Sequence, residues 1–278
     1  MLRNLIPFLC FIGFYATAQT DSVRNCQISW SELAPGLSYC ETDAPKVSFI
    51  GDSKLTMVKI NPKRVKVQLL SATEYANVTR SAAEWADTFG LNIVINAGMY
   101  DLRNGLTNKG FMKNYSHLNN PVLHPSYNCM MAFNPKDSTL NQFTIFDLQC
   151  TNWEKEQHRY HSFSQGMRML DCEGNPLSWN KKKQACSMLV AATDSSGAIY
   201  FIFTRSPYTH NEMIEFMRSF PFRLTHAIYL EGGPETSLYI TIGNTVIQKI
   251  GSYVSDTYTN DDNDHFWKLP NVIGITLK

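Results

Sequence analysis

Three short stretches of this sequence place groups capable of chemistry at the ends of apolar runs. Val94-Ile95-Asn96-Ala97-Gly98-Met99-Tyr100-Asp101 ends in an amide that donates and accepts hydrogen bonds, a glycine that admits close backbone approach, and a carboxylate. Phe163-Ser164-Gln165-Gly166-Met167-Arg168-Met169-Leu170 sets a guanidinium in an apolar run, just after an amide and a glycine. Ile228-Tyr229-Leu230-Glu231-Gly232-Gly233-Pro234-Glu235-Thr236-Ser237 leads a buried-type run into two carboxylates and two glycines. Arg205-Ser206-Pro207 follows a fourth apolar run. Alone, each has an ordinary structural use: a tight turn at Gly232-Gly233-Pro234, a solvated strand-end Glu231, a salt bridge at Arg168. Together they describe a sheet carrying a site at one edge, with carboxylates for acid–base or nucleophilic work and cations for an anionic group.

The elements that must hold these groups are mainly strands. Short β-rich runs occur at 55–60, 65–70, 92–95, 130–133, 143–146, 188–192, 199–203, 227–230, 238–241, 245–250 and 272–277. Val65-Lys66-Val67-Gln68-Leu69 alternates, as suits a half-solvated sheet, whereas Ile199-Tyr200-Phe201-Ile202-Phe203 is apolar on both faces. Ser195-Ser196-Gly197 between two runs predicts a hairpin turn. Two capping boxes, Ser81-Ala82-Ala83-Glu84 and Thr209-His210-Asn211-Glu212, open helices that Gly90 and Pro221 close. In the second helix Met213, Phe216, Met217 and Phe220 form a core-facing stripe. No linker, low-complexity tract or repeat interrupts the chain. The expected fold class is α+β, a single domain with a large mixed β-sheet flanked by a few helices.

The N-terminus predicts export. Arg3, an apolar run over residues 5–15 and Ala16-Thr17-Ala18 make a secretory signal peptide cleaved after Ala18. The run falls short of the roughly 20 residues a membrane-spanning helix needs. The expected organisation is therefore a signal peptide at 1–18, an N-terminal segment at 19–54 and one domain at 55–278, periplasmic or extracellular. Of seven cysteines, six remain after cleavage, an even number for an oxidising compartment. Cys26 with Cys40 is the local pairing expected; buried free thiols are the alternative. The sequons at Asn77 and Asn114 matter only in a glycosylating host.

The whole chain carries 25 Lys and Arg against 24 Asp and Glu, and cleavage removes only Arg3, leaving 24 of each. That balance argues against nucleic-acid or anionic-membrane binding. With 44% apolar and 18% charged residues the chain is globular, not disordered. No Cys/His spacing suggests zinc, and no cofactor is expected. Asn260-Asp261-Asp262-Asn263-Asp264 packs oxygen ligands into one loop, as calcium prefers, but lacks the glycine and distal glutamate of an EF-hand and reads as a solvated acidic loop.

Two of the segments quoted above resemble the signature segments of the phosphodiester glycosidase family. Ile95-Asn96-Ala97-Gly98-Met99-Tyr100-Asp101 is similar to its Asn-Ala-Gly-Phe/Met-Phe/Tyr pattern, and Leu230-Glu231-Gly232-Gly233-Pro234-Glu235-Thr236-Ser237 to its Leu-Asp-Gly-Gly-x-Ser pattern. Gly110-Phe111-Met112-Lys113-Asn114, Gln165-Gly166-Met167-Arg168-Met169, Arg205-Ser206-Pro207-Tyr208 and the stretch from Phe266 to Gly274 resemble the exported bacterial branch. The resemblance runs from about Leu55 to the C-terminus. The branch of the lysosomal uncovering enzyme has Asp where this chain has Glu231, a shorter Gly-Ser where it has Pro-Glu-Thr-Ser, and an arginine before the strand at Cys186-Ser187. These departures imply a differently sized sugar pocket.

The resemblance implies hydrolysis of a sugar-1-phosphodiester, freeing the sugar and leaving a phosphomonoester. That chemistry needs a carboxylate near the anomeric carbon and donors on the phosphate oxygens. Glu231 is the first candidate, with Asp101 or Glu235 second. Arg168, Arg205 and Lys113 are the candidate phosphate clamp. Asn96, Gly98, Gln165, Ser206 and the backbone of Gly232 and Gly233 are the candidates for positioning substrate. The competing expectations are a non-catalytic glycan-binding protein using the same cleft, and a surface protein with only an interaction role. The expected partner is a carbohydrate phosphodiester or glycan.

Overall fold

The computed structural model describes residues 26–180 and 184–278; the signal-peptide segment lies outside the described residues. In chain order the strands are β1 (Ser31–Ala34), β2 (Leu37–Asp43), β3 (Lys54–Ile60), β4 (Val65–Ser71), β5 (Ile93–Asn96), β6 (Met112–Asn114), β7 (His117–Asn120) and β8 (Cys129–Pro135). They continue as β9 (Phe143–Asp147), β10 (Tyr160–Arg168), β11 (Ala185–Asp194), β12 (Ile199–Thr209), β13 (Leu224–Gly232), β14 (Ser237–Ile242), β15 (Thr245–Ile250) and β16 (Asn271–Leu277). The helices are α1 (Ala82–Phe89), α2 (Trp153–Glu156) and α3 (His210–Arg218).

Two sheets face each other. The larger runs β1-β2-β3-β12-β11-β13-β10-β6-β7, with β8 beside β10 and β9 beside β8; the smaller runs β15-β14-β5-β16-β4. The N-terminal segment contributes β1 and β2, which extend the larger sheet from β3. Between the sheets lies a core that takes Ile93 and Ile95 from β5, Leu189 and Ala191 from β11, Phe201 from β12 and Leu230 from β13. α3 covers the outer face of the larger sheet with Met213, Ile214, Phe216 and Met217, and α1 covers the smaller with Trp85 and Ala86. The fold is therefore mainly β, with helices as outer layers.

The expectation of one mixed sheet is corrected: among the described residues both sheets pair antiparallel throughout. Parallel neighbours need a crossover of about a dozen residues or more; here consecutive strands that pair directly, such as β6–β7, β8–β9, β11–β12 and β14–β15, do so antiparallel. The β11–β12 pair closes through the turn at Ser195-Ser196-Gly197, where Thr193 stands opposite Ile199. Both capping boxes form, with Ser81 and Thr209 accepting from the amides of Glu84 and Glu212 and those carboxylates returning to the cap amides.

The cysteine expectation is corrected as well. Cys150 and Cys172 form a disulfide, while Cys26 and Cys40 stay as thiols. Cys40 faces the core under α3, and Cys26 donates to Thr42 Oγ1 at 3.8 Å, so the two serve as small packing groups. Of the two sequons, Asn77 is exposed and Asn114 is buried, donating to Glu74 and accepting from Ser162.

Candidate active site

The two carboxylates of the Glu231–Glu235 segment end up at one corner, where β13 leaves the larger sheet. Glu231 pairs across the sheet with Leu189 of β11, and Gly232 with Met188. A short helical turn over Gly233–Glu235 then reverses the chain into β14. Gly232 is required here by close approach: a Cβ would collide with the Tyr229 hydroxyl and lie 2.7 Å from Cys186 Sγ. Asn96, at the end of β5, fastens the corner from the other sheet, its Oδ1 accepting from Ser237 N at 3.1 Å. Gly98, at φ +143, brings the following loop against Asn108 Oδ1.

Electrostatically the corner is uncomfortable. Glu231 is half-buried and, among the described residues, its carboxylate accepts only the neighbouring Gly232 amide, at 3.1 Å. Burial, and then the charge of Glu235, push its carboxyl up to about 8. Glu235 is raised too, by burial, although Tyr100 Oη donates to it at 3.0 Å. Three tyrosines register the pair: burial and these carboxylates raise Tyr100 and Tyr229, and burial with Glu231 pushes Tyr127 up to about 12. Cys186, 3.9 Å from the Tyr229 hydroxyl, is likewise pushed up to about 12 by burial, which rules it out as a thiolate nucleophile. Two carboxyls at one corner, both raised by burial, are the kind of pair that can divide the roles of acid and base.

Two loops border the pair. Gln165 of β10 is buried and fully engaged: its Oε1 accepts from the amides of Phe111 (2.9 Å) and His124 (2.8 Å), and its Nε2 donates to the carbonyls of His124 (3.1 Å) and Tyr127 (2.6 Å). It therefore positions the His124–Tyr127 loop instead of offering itself to a ligand. The His124 ring lies 3.9 Å from the Tyr127 ring, and burial, then the charge of Lys109, lowers its pKa. Lys109 is exposed, anchored through its amide to Met99 O at 2.8 Å, and its charge acts on Glu231. It makes no ion pair among the described residues. Two buried amide atoms in this region, Asn96 Nδ2 and Asn108 Oδ1, find no partner among the described residues.

The remaining expected residues go elsewhere. Arg168 pairs with buried Asp147 at 2.5 Å and faces a separate cavity with Trp179. Arg205 donates to the carbonyls of Ile250, Asp261 and Asn263 and pairs with the Asp261 carboxylate at 2.7 Å. Ser206 is buried, bonded to Ser53 N and Asp52. Lys113 stands opposite Phe163 on β6, with no ion pair among the described residues. Asp101 turns to exposed Arg103, which holds its pKa down to about 2. Thus Glu231, Glu235 and Asn96 meet at the corner with Gly98, Gly232 and Gly233; the three cations proposed as a clamp do not meet. In the acidic loop, Asp261 faces Arg205, Asp262 accepts from Tyr258 and Asp264 pairs with His265, so these carboxylates do not converge. Sequence reading passed over Lys109, Asn108, His124 and Tyr127. The one available signal was the position of Lys109, immediately before the Gly110-Phe111-Met112-Lys113-Asn114 motif.

Two solved structures share this architecture. A hypothetical protein from Synechocystis aligns with a TM-score of 0.61 at 12% identity over 91% of this chain, which spans 64% of that protein. The catalytic domain of zebrafish N-acetylglucosamine-1-phosphodiester α-N-acetylglucosaminidase, solved auto-inhibited by its pro-peptide, aligns with a TM-score of 0.61 at 13% identity, covering 92% of this chain and 89% of that one. At such identities the likeness is one of fold. A search of curated proteins finds no match. The phosphodiester glycosidase pattern matches residues 89–276, which include both signature segments and every residue of the corner described above. The chain belongs to the phosphodiester glycosidase family.

Proposed function

We propose that the protein hydrolyses the glycosidic C–O bond of a sugar-1-phosphodiester, releasing the sugar and leaving a phosphomonoester. The observation that carries this reading is the placement of Glu231 and Glu235 at one corner inside the family's span, where burial and the second carboxyl push Glu231 up to about 8. The ionised member faces the positive charge that develops at the anomeric carbon as the C–O bond breaks. The protonated member gives its proton to the departing phosphate oxygen and recovers one from the water that supplies hydroxyl to the sugar. Lys109 is the cation for the phosphate oxygens, in place of Arg168, Arg205 and Lys113.

The test is a panel of sugar-1-phosphodiesters assayed for reducing sugar. Turnover that Glu231→Gln abolishes supports the reading; full turnover by a folded Glu231→Gln protein sinks it. We also propose export through residues 1–18, a reading supported by the Cys150–Cys172 disulfide, since such bonds persist in oxidising compartments. Fractionation that finds the unprocessed chain in the cytoplasm would overturn that assignment.

A further inference from the structure

Beside the carboxylate corner, on the far side of Lys109, lies a cavity of about 660 Å³ whose walls are Asp101, Leu102, Arg103, Lys109, Pro121, Val122 and their neighbours. Its volume falls within the roughly 300–1,000 Å³ of ligand pockets. The chain itself joins the cavity to the corner: Lys109 and Asp101 line it, Lys109 N donates to Met99 O at 2.8 Å, and Tyr100, between Met99 and Asp101, donates to Glu235 at 3.0 Å. The outer wall is unusually apolar for open surface: Leu102 is 83% exposed and Val122 63% exposed. Single exposed aliphatic residues are ordinary, but two facing one cavity beside a lone cation need a reason.

The walls are built and held. Asn108 N donates to Asn119 Oδ1 at 2.7 Å, Asn120 Nδ2 to Asn108 O at 2.8 Å, and Val122 N to Asn120 Oδ1 at 2.9 Å, so the two loops are laced to each other. Asp101 N donates to Thr107 O and Gly105 N to Asp101 O, each at 2.8 Å, which closes the loop that presents Leu102. Asp101 and Arg103 neutralise one another, leaving Lys109 as the uncompensated charge in the cavity. A bound molecule is thus offered a cation on the side of the carboxylates and aliphatic side chains on the outer side.

Building on the phosphodiester reading, we propose that this cavity is the aglycone subsite and that it selects an apolar alcohol esterified to the phosphate. With the anomeric carbon at Glu231 and Glu235 and the phosphate at Lys109, the alcohol is directed along Leu102 and Val122. Each methylene removed from water there contributes about a four-fold gain in affinity.

The test reads binding apart from turnover. Hexyl phosphate, a mimic of the phosphomonoester product, is titrated calorimetrically against the mature protein beside glycerol 3-phosphate. Hexyl phosphate binding at least about ten-fold tighter, with the difference lost in Leu102→Ser/Val122→Ser, supports the subsite. Equal affinities, no binding of either, or a difference that survives the double substitution overturns it. Both side chains are exposed, so the variant should fold, and its melting temperature is checked beside the titration. Hydrolysis of a hexyl and a glyceryl sugar-1-phosphodiester then separates the two readings. Turnover of both at equal kcat/KM removes the apolar subsite and leaves the glycosidase. Selective hexyl phosphate binding without turnover of either removes the glycosidase and leaves the subsite.

Discussion

Two polar sites of this protein, each following an apolar run in the sequence, look alike there and differ in kind. At the Arg205 site one guanidinium meets three carbonyls and the Asp261 carboxylate, so its charge and donors are satisfied. At the Glu231 corner a half-buried carboxyl receives one amide and faces a second carboxyl. Buried polar groups in proteins are almost always partnered. A site that fulfils the rule is holding structure together, and a site that breaks it stores electrostatic tension of the sort active sites use. The two arginines expected to bind phosphate fall on the first side of that division, and the carboxylates on the second.

The contrast can be broken at either site. The largest effect belongs to Glu231→Gln: removing the proton carrier should lower kcat by about 10²–10⁴-fold, with the melting temperature unchanged or raised. Next comes Arg205→Met, which strands three carbonyls and a carboxylate and should cost about 3 kcal/mol in denaturant unfolding. Its kcat, measured on folded protein, should stay at the wild-type level; a large loss would return Arg205 to the site. Lys109→Met should lower kcat/KM by about 10–100-fold on a sugar-1-phosphodiester, and much less on an aryl glycoside without phosphate. Equal losses on both would deny it the phosphate.

The smallest effect concerns pH. An unfolded Glu231 releases its proton near 4.5, whereas the folded one keeps it to about 8. The folded state therefore binds more protons across that window, and stability falls as pH rises from about 4.5 to about 8. Melting temperatures of Glu231→Gln should decline less over that range than those of the parent, by a few degrees. Parallel curves would mean that the carboxyl is not strained.

What was legible in the sequence was local. Ser81 with Glu84 and Thr209 with Glu212 lie three residues apart, and the caps they predict need nothing beyond their own turns. Glu231 and Glu235 were legible because one short turn joins them. The fate of Arg168 was not, since Asp147 reaches it from a different strand, 21 residues away. Lys109 gave no signal by type, because an exposed lysine matters only through the cleft beside it. The Cys150–Cys172 bond was one choice among many, fixed by tertiary packing. The antiparallel pairing was hidden for a similar reason: a strand's pattern records which face is buried and not the direction of its neighbour.

The fastening by Gln165 carries one last consequence. A neutral amide, and no ion, ties the His124–Tyr127 loop to β10 through three bonds, and a fourth holds Phe111. Bonds between uncharged groups are barely screened by salt and carry no proton that acid or base could remove. The doorway to the carboxylates should keep its shape in brackish or acidic surroundings where an ionic latch would loosen, so that changes in the medium act on the chemistry and leave the frame alone.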